Sequence, residues 1–156
     1  MKQKITIVAV VLMAAFVVAA MPTQAAGRDG MVVRQMSVAW ANAWPRLEAA
    51  IGKNSMGIVS RASASAGARS RGVIIPGNMV VGVYRNDFAV RMLAASVDAG
   101  IEAPLRFYLT EDASGQVKLG YRRPSATFAP YPGDDLKNLA AELDAIFADI
   151  AHDATR

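Results

Sequence analysis

Three arginines and a tyrosine are the residues in this chain best suited to bind a ligand. Arg123 follows Tyr121 by two positions, and Arg69 and Arg71 lie in a segment built mainly from Ala, Ser, Gly and Arg. Guanidinium groups that converge can hold a carboxylate or a phosphate through paired hydrogen bonds. We therefore predict a small-anion site formed by Tyr121, Arg123, Arg69 and Arg71.

Arg123 is chosen over Arg122 because successive residues of a strand point to opposite faces of a sheet. Arg122 would continue a polar face, whereas Arg123 would continue the core face of Leu119 and Tyr121. An unpaired charge at a core face is costly, so Arg123 must reach the rim or find a partner. Two alternatives stay open: arginines that are solvated separately, and an internal ion pair between Arg123 and a carboxylate.

The sequence offers little material for catalysis or metal binding. It has no cysteine and one histidine, His152, close to the C-terminus. The adjacent carboxylates Glu111-Asp112 and Asp134-Asp135 have the positions of a turn and of a helix start, where such residues have structural roles. A metal site needs several ligands that converge. We predict no catalytic residue, no metal and no cofactor.

The first 26 residues have the pattern of a secretory signal peptide. Lys2 and Lys4 precede an apolar run over residues 5–21, which only one threonine interrupts, and small residues follow up to Ala25 and Ala26. This order of charged, apolar and small residues is typical of an exported protein. We predict cleavage after Ala25 or Ala26, a single domain over residues 27–156, and a periplasmic or secreted location without a stable membrane span. The alternative is a leader that is retained as an anchor.

Charge gives no indication of nucleic-acid binding. The whole chain has 17 basic and 13 acidic residues. Residues 1–26 include two of the lysines and no acidic residue, so the exported chain would have a net charge of about +2. Export also argues against a nucleic-acid partner. The absence of cysteine excludes disulfides, which a domain of this size can do without.

Hydrophobic periodicity predicts an α+β domain. The clearest feature is a hairpin in which Leu105, Phe107 and Leu109 alternate with polar residues. The order β-α-β-β-α-β-β-α indicates two layers, a mainly antiparallel sheet with helices packed on it. The predicted strands are 31–40, 56–61, 79–84, 105–110 and 117–123, and the predicted helices are 43–53, 88–99 and 134–150. Residues 62–72 are a mobile loop or a weak helix, and residues 125–133 are a loop.

Three segments resemble the bacterial domain of unknown function family number 302. They read VVGVYRNDF, DAGIEAPLRFYLTEDASGQVKLGYRRP and LKNLAAELDAI, and the resemblance covers roughly residues 40–150. Two departures are evident: Asp87 stands where the family often has proline, and RASASAG contains no histidine where the family often has one. The resemblance implies an α+β fold and a homodimer, and it implies no activity.

Three functions fit these observations. The first, which we favour, is a non-catalytic binding or interaction module of the cell envelope. The second is a carrier or an enzyme that acts on a small anionic molecule, and a pocket that joins the tyrosine and the arginines would favour it. The third is a structural homodimer that joins an envelope protein partner, and an exposed apolar surface would favour it.

Overall fold

A computed structural model describes residues 30–156. The predicted signal peptide lies outside the described residues. The strands are β1 (Met31–Gln35), β2 (Gly57–Ala62), β3 (Asn78–Tyr84), β4 (Leu105–Glu111) and β5 (Val117–Arg122), and the helices are α1 (Trp40–Lys53), α2 (Ala64–Arg69), α3 (Asn86–Ala95), α4 (Pro124–Phe128) and α5 (Asp134–Thr155), with a 3-10 turn at Asp98–Glu102.

The five strands form one antiparallel sheet in the order β1-β5-β4-β3-β2. The predicted hairpin is β4–β5, and Leu105, Phe107 and Leu109 are buried as the alternation requires. Phe107 stacks on Phe147 of α5, with the ring centroids 4.6 Å apart. The core therefore lies between one face of the sheet and the helices, which confirms the predicted α+β fold.

Helix α5 has the predicted apolar face. Leu139, Leu143, Phe147 and Ile150 are all buried at helical spacing. The helix starts immediately after Gly133, whose φ of 115° is a conformation that favours glycine. This helix covers one face of the sheet.

The N-terminal strand and helix differ from the prediction. Strand β1 ends at Gln35, and α1 begins at Trp40 rather than Ala43. Asn42, a residue type that often caps helices and the cap expected for a start at Ala43, lies inside the helix instead, and its N–H donates to the carbonyl oxygen of Ala39. Ala39 holds the N-cap position and makes no side-chain cap.

Val90, Leu93 and Val97 share one face at helical spacing, which predicts a buried apolar face for the helix over residues 88–99, and this prediction is wrong. The helix ends at Ala95 and buries Phe88 and Met92 against the core. Val90 and Leu93 are exposed, and Val97, beyond the helix end, is 75% exposed. Two apolar stripes occur on this segment at helical spacing, and periodicity alone does not tell which of them packs on α5.

Two segments without clear periodicity form short helices. Residues 64–69 form α2, and the Ser63 hydroxyl accepts a hydrogen bond from the Ala66 N–H at its start. The segment after β5, predicted as a loop, contains α4 with Pro124 in its first turn. Within residues 30–156, no helix combines the length and the hydropathy that a bilayer span requires.

Candidate functional site

The sheet face opposite the helices, called the open face here, carries polar and apolar side chains in rows across the strands. The first row contains Ser60, Gly82, Arg106, Arg122 and Met31; the second contains Ala62, Val80, Tyr108, Gly120 and Val33; the third contains Asn78, Thr110, Lys118 and Gln35. The rows follow from the pairing register, because every second residue of a strand faces the same side.

Two arginines occupy neighbouring strands in the first row. Phe107 of β4 pairs with Tyr121 of β5. Because the two strands are antiparallel, the next pair in this register is Arg106 and Arg122, and these residues lie opposite each other on the open face. Both side chains are exposed. Within residues 30–156, no carboxylate forms an ion pair with either guanidinium. Like charges directly opposite each other destabilise a sheet. A bound anion would therefore reduce the repulsion between the two guanidinium groups.

A depression of about 460 Å³ surrounds this pair. Its open-face lining consists of Met31, Val80, Arg106, Tyr108, Gly120 and Arg122. The arginines provide donors for an anion, and Tyr108 provides a phenol and an apolar ring. The volume is within the range of small-molecule sites.

Glu102 and Thr127 line one end of the same depression. The Tyr131 hydroxyl donates to Glu102 Oε1 at 3.0 Å. Burial and this acidic partner raise the pKa of Tyr131. The carboxylate of Glu102 thus already accepts a hydrogen bond at the rim, and the charge balance of the depression is positive.

Tyr121 is among the residues that line the depression, together with the arginine pair, but its side chain lies on the opposite face of the sheet. Its side chain is 5% exposed and lies on the core face, with its ring centroid 5.4 Å from that of Phe107 and 5.6 Å from that of Phe147. Burial raises the pKa of the Tyr121 hydroxyl. Arg123 lies beyond the end of β5, in the N-cap position of α4, and is exposed. Because the strand has ended, alternation does not assign Arg123 to the core face.

The two loop arginines lie at the end of α2 and just after it. Arg69 is the last residue of α2, and Arg71 follows in the next turn. Helix α2 packs beside β3, and the strand order puts β4 between β3 and the strand of Tyr121. The prediction that these arginines close over Tyr121 stays a prediction.

Sequence reasoning missed Arg106 and Tyr108. The alternation of the predicted hairpin already placed Arg106 on its wet face, together with Arg122 and Gly120. What the sequence did not supply is the register, which brings the two arginines opposite each other. Spacing within one strand identifies the face, and pairing between strands identifies the neighbours.

Comparison with known proteins identifies the family. A family model described as "Domain of unknown function DUF302" matches residues 32–154. The chain belongs to the DUF302 family. This confirms the resemblance noted in the sequence, and the description of the family gives no biochemical role.

One solved structure supports the fold independently. It is the crystal structure of an uncharacterized conserved DUF302 protein from Bacillus stearothermophilus, with a TM-score of 0.72 and 19% identity. The match covers 81% of this chain and 98% of that chain. At this identity the likeness shows the shared fold alone. A search of curated proteins gives no match.

Proposed function

We propose that this DUF302 chain is an exported, non-catalytic binding module that binds a small anionic molecule on its open face. The observation that carries the proposal is the pair Arg106 and Arg122, opposite each other and without a carboxylate partner within residues 30–156. Two guanidinium groups on neighbouring strands can donate to one carboxylate or phosphate from two sides.

The structural roles of the carboxylates support a function without catalysis. Asp144 accepts hydrogen bonds from the N–H and the hydroxyl of Ser125, at 2.9 and 2.6 Å. Glu142 forms a two-pronged ion pair with Arg91 that links α5 to α3. General acid–base catalysis needs a titratable group beside the bound ligand. Asp144 and Glu142 hold the fold together, and Glu102, the carboxylate that lines the depression, already accepts a hydrogen bond from the Tyr131 hydroxyl. Within the described part of the chain, no three potential metal ligands form a cluster.

The leader supports export. A basic start, an apolar run and small residues at the end are the features that secretion machinery recognises. A binding module in the periplasm would meet small anionic solutes directly. The alternative function is an enzyme that acts on the same anion. It would use the phenol of Tyr108, which lies in the second row and lines the depression.

Binding of simple anions tests the proposal. Acetate and inorganic phosphate are titrated against the wild type, Arg106→Gln and Arg122→Gln, and binding is followed by amide chemical shifts. The matched control is Arg34→Gln, an exposed arginine of β1 on the other face of the sheet. Because each lost charge-assisted hydrogen bond weakens binding by roughly tenfold or more, both open-face variants should lose affinity and the control should not. Equal affinities in all four proteins would overturn the proposal.

A second candidate function is association with a second copy or with an envelope protein. Val90, Leu93, Val97 and Ile101 are exposed along α3 and the 3-10 turn, and contiguous exposed apolar side chains are typical of protein interfaces. Sedimentation equilibrium of the wild type and of Val97→Lys tests self-association. A monomer at every concentration would exclude the homodimer.

A further inference from the structure

Three consecutive aliphatic side chains are exposed in the segment between α2 and β3. Val73 is 49% exposed, Ile74 is 87% exposed and Ile75 is 39% exposed. Within residues 30–156, Ile74 is the most exposed of the large apolar residues. Single exposed apolar side chains are common on protein surfaces, whereas a contiguous group is typical of an interaction site. We call residues 69–75 the tip.

The fold holds the tip at both of its ends. The Val73 N–H donates to the carbonyl oxygen of Ala68 at 3.0 Å, as in the Schellman motif that ends many helices. Gly72 provides the turn with a φ of 75°, a conformation that favours glycine. After the tip, the Gly77 N–H donates to Glu111 Oε2 at 3.1 Å. The exposure of the aliphatic side chains is therefore built into the folded chain.

The charge of the tip and of the chain around it is positive. Residues 49–86 contain five basic residues and no acidic one. The basic residues are Lys53, Arg61, Arg69, Arg71 and Arg85. Lys53 and Arg85 pair with carboxylates. Arg69 and Arg71 are exposed, and no carboxylate within residues 30–156 forms an ion pair with either of them. The tip thus combines aliphatic side chains with two guanidinium groups that a negative surface would attract.

We propose that the tip docks on the surface of an anionic bilayer, with Ile74 inserted among the lipids and Arg69 and Arg71 at the headgroup phosphates. A bilayer has an apolar interior behind a negatively charged layer, which matches this combination of side chains. A symmetric dimer through the tip would instead bring the arginines of two copies into one interface, because the same patch faces itself across a two-fold axis. The inference rests on the export part of the proposed function, and no residue of the tip lines the depression.

Vesicle binding tests the aliphatic part of this proposal. The purified protein is titrated with vesicles of phosphatidylethanolamine and phosphatidylglycerol in equal parts, and the bound fraction is measured by sedimentation. Ile74→Ser should weaken binding by roughly tenfold or more, because the buried area of the isoleucine is lost. The matched control is Ile101→Ser on the 3-10 turn, where the isoleucine is 81% exposed. It should bind as the wild type does. Equal binding of Ile74→Ser and the wild type would overturn the proposal.

A dependence on lipid charge tests the part of the arginines. Arg69→Gln and Arg71→Gln should each weaken vesicle binding about fivefold, because each arginine loses its attraction to the anionic surface. Lys137→Gln is the matched control, since Lys137 is an exposed residue of α5 outside the basic segment. The wild type should also bind vesicles of phosphatidylcholine alone less tightly. Equal binding to both kinds of vesicle would mean that the arginines have no such role.

Sedimentation equilibrium without vesicles separates docking on lipid from docking on protein. If the wild type self-associates, binds no vesicle, and Ile74→Ser is a monomer, then the tip is an interface between copies and the proposal is wrong. The failure of export is a different result: a chain that keeps its leader would contradict export, whereas a chain without its leader that binds no vesicle would contradict the docking of the tip alone. Ile74→Ser should bind acetate as the wild type does, because Ile74 does not line the depression.

Discussion

Asp112 shows how one residue of this chain organises a turn. Its Oδ1 accepts hydrogen bonds from the Ser114 hydroxyl at 2.6 Å and from the N–H groups of Ser114 and Gln116, both at 3.0 Å. Lys118 donates to Oδ2 at 3.3 Å. The Ser114 hydroxyl contributes most to lowering the pKa of Asp112 from 3.8 to about 2. This carboxylate holds the β4–β5 turn, and with it the register of the two arginines.

Replacing Asp112 should change how stability depends on pH. Because its pKa is lower in the folded chain, the carboxylate stabilises the fold fully above pH 3.8, and this contribution is lost as pH falls through about 2. Asp112→Asn should therefore be less stable than the wild type at pH 5, and the difference should shrink towards pH 2. Urea unfolding at several pH values measures it. Asp134→Asn is the control, because the exposed Asp134 carboxylate pairs with Lys137 three residues on. If the loss of stability in Asp112→Asn is the same at every pH, the proposed role of the Asp112 carboxylate is wrong.

At the residue scale, local alternation does not tell which arginines and tyrosines become neighbours. The sequence predicts a site of Tyr121, Arg123, Arg69 and Arg71, which stays a prediction, whereas strand pairing brings Arg106, Arg122 and Tyr108 together on the open face. The choice of Arg123 over Arg122 requires that the strand continues through residue 123. That strand ends at Arg122 because Pro124 begins a helix immediately afterwards. Strand ends are determined by pairing and by the following element, which local alternation does not contain.

Two leucines on different helices should respond very differently to truncation. Leu143 on α5 is 4% exposed within the core, whereas Leu93 on α3 is 46% exposed. Leu143→Ala should lower the free energy of unfolding by roughly 2–5 kcal/mol through lost burial and a cavity. Leu93→Ala should change it by less than about 1 kcal/mol. Denaturant melts compare them directly; equal losses would mean that the exposed face of α3 is covered in solution.

At the element scale, an element is predicted correctly when its sequence contains a single apolar stripe. Helix α5 has one wide stripe, and the hairpin alternates clearly, so both were predicted correctly. Helix α3 has two stripes, of which Phe88 and Met92 pack inward. Phe88 also lies under the guanidinium groups of Arg85 and Arg91, at 4.2 and 5.3 Å from its ring centroid. These tertiary contacts decide between the stripes, and periodicity does not report them.

For the whole molecule, the side on which the helices pack creates the candidate site. The core side chains of β4, including Phe107, face the helices, so the intervening residues Arg106 and Tyr108 face outward. A two-layer fold with five strands leaves one broad sheet face that the core helices do not cover, and the start of α2 contacts this face at Asn78. The class of fold was predictable from the sequence, but the surface it exposes depends on strand order and register.

The whole chain should lose its leader on export. The described domain reaches β1 at Met31, so cleavage after Ala25 or Ala26 leaves a short segment before the first strand. N-terminal sequencing of the periplasmic fraction should begin at Ala26 or Gly27, because signal peptidase cuts after small residues. A chain with Ala25→Leu and Ala26→Leu should keep its leader and stay with the membrane. Wild-type protein found in washed membranes with Met1 intact would instead make this an anchored domain, with its open face held near the bilayer.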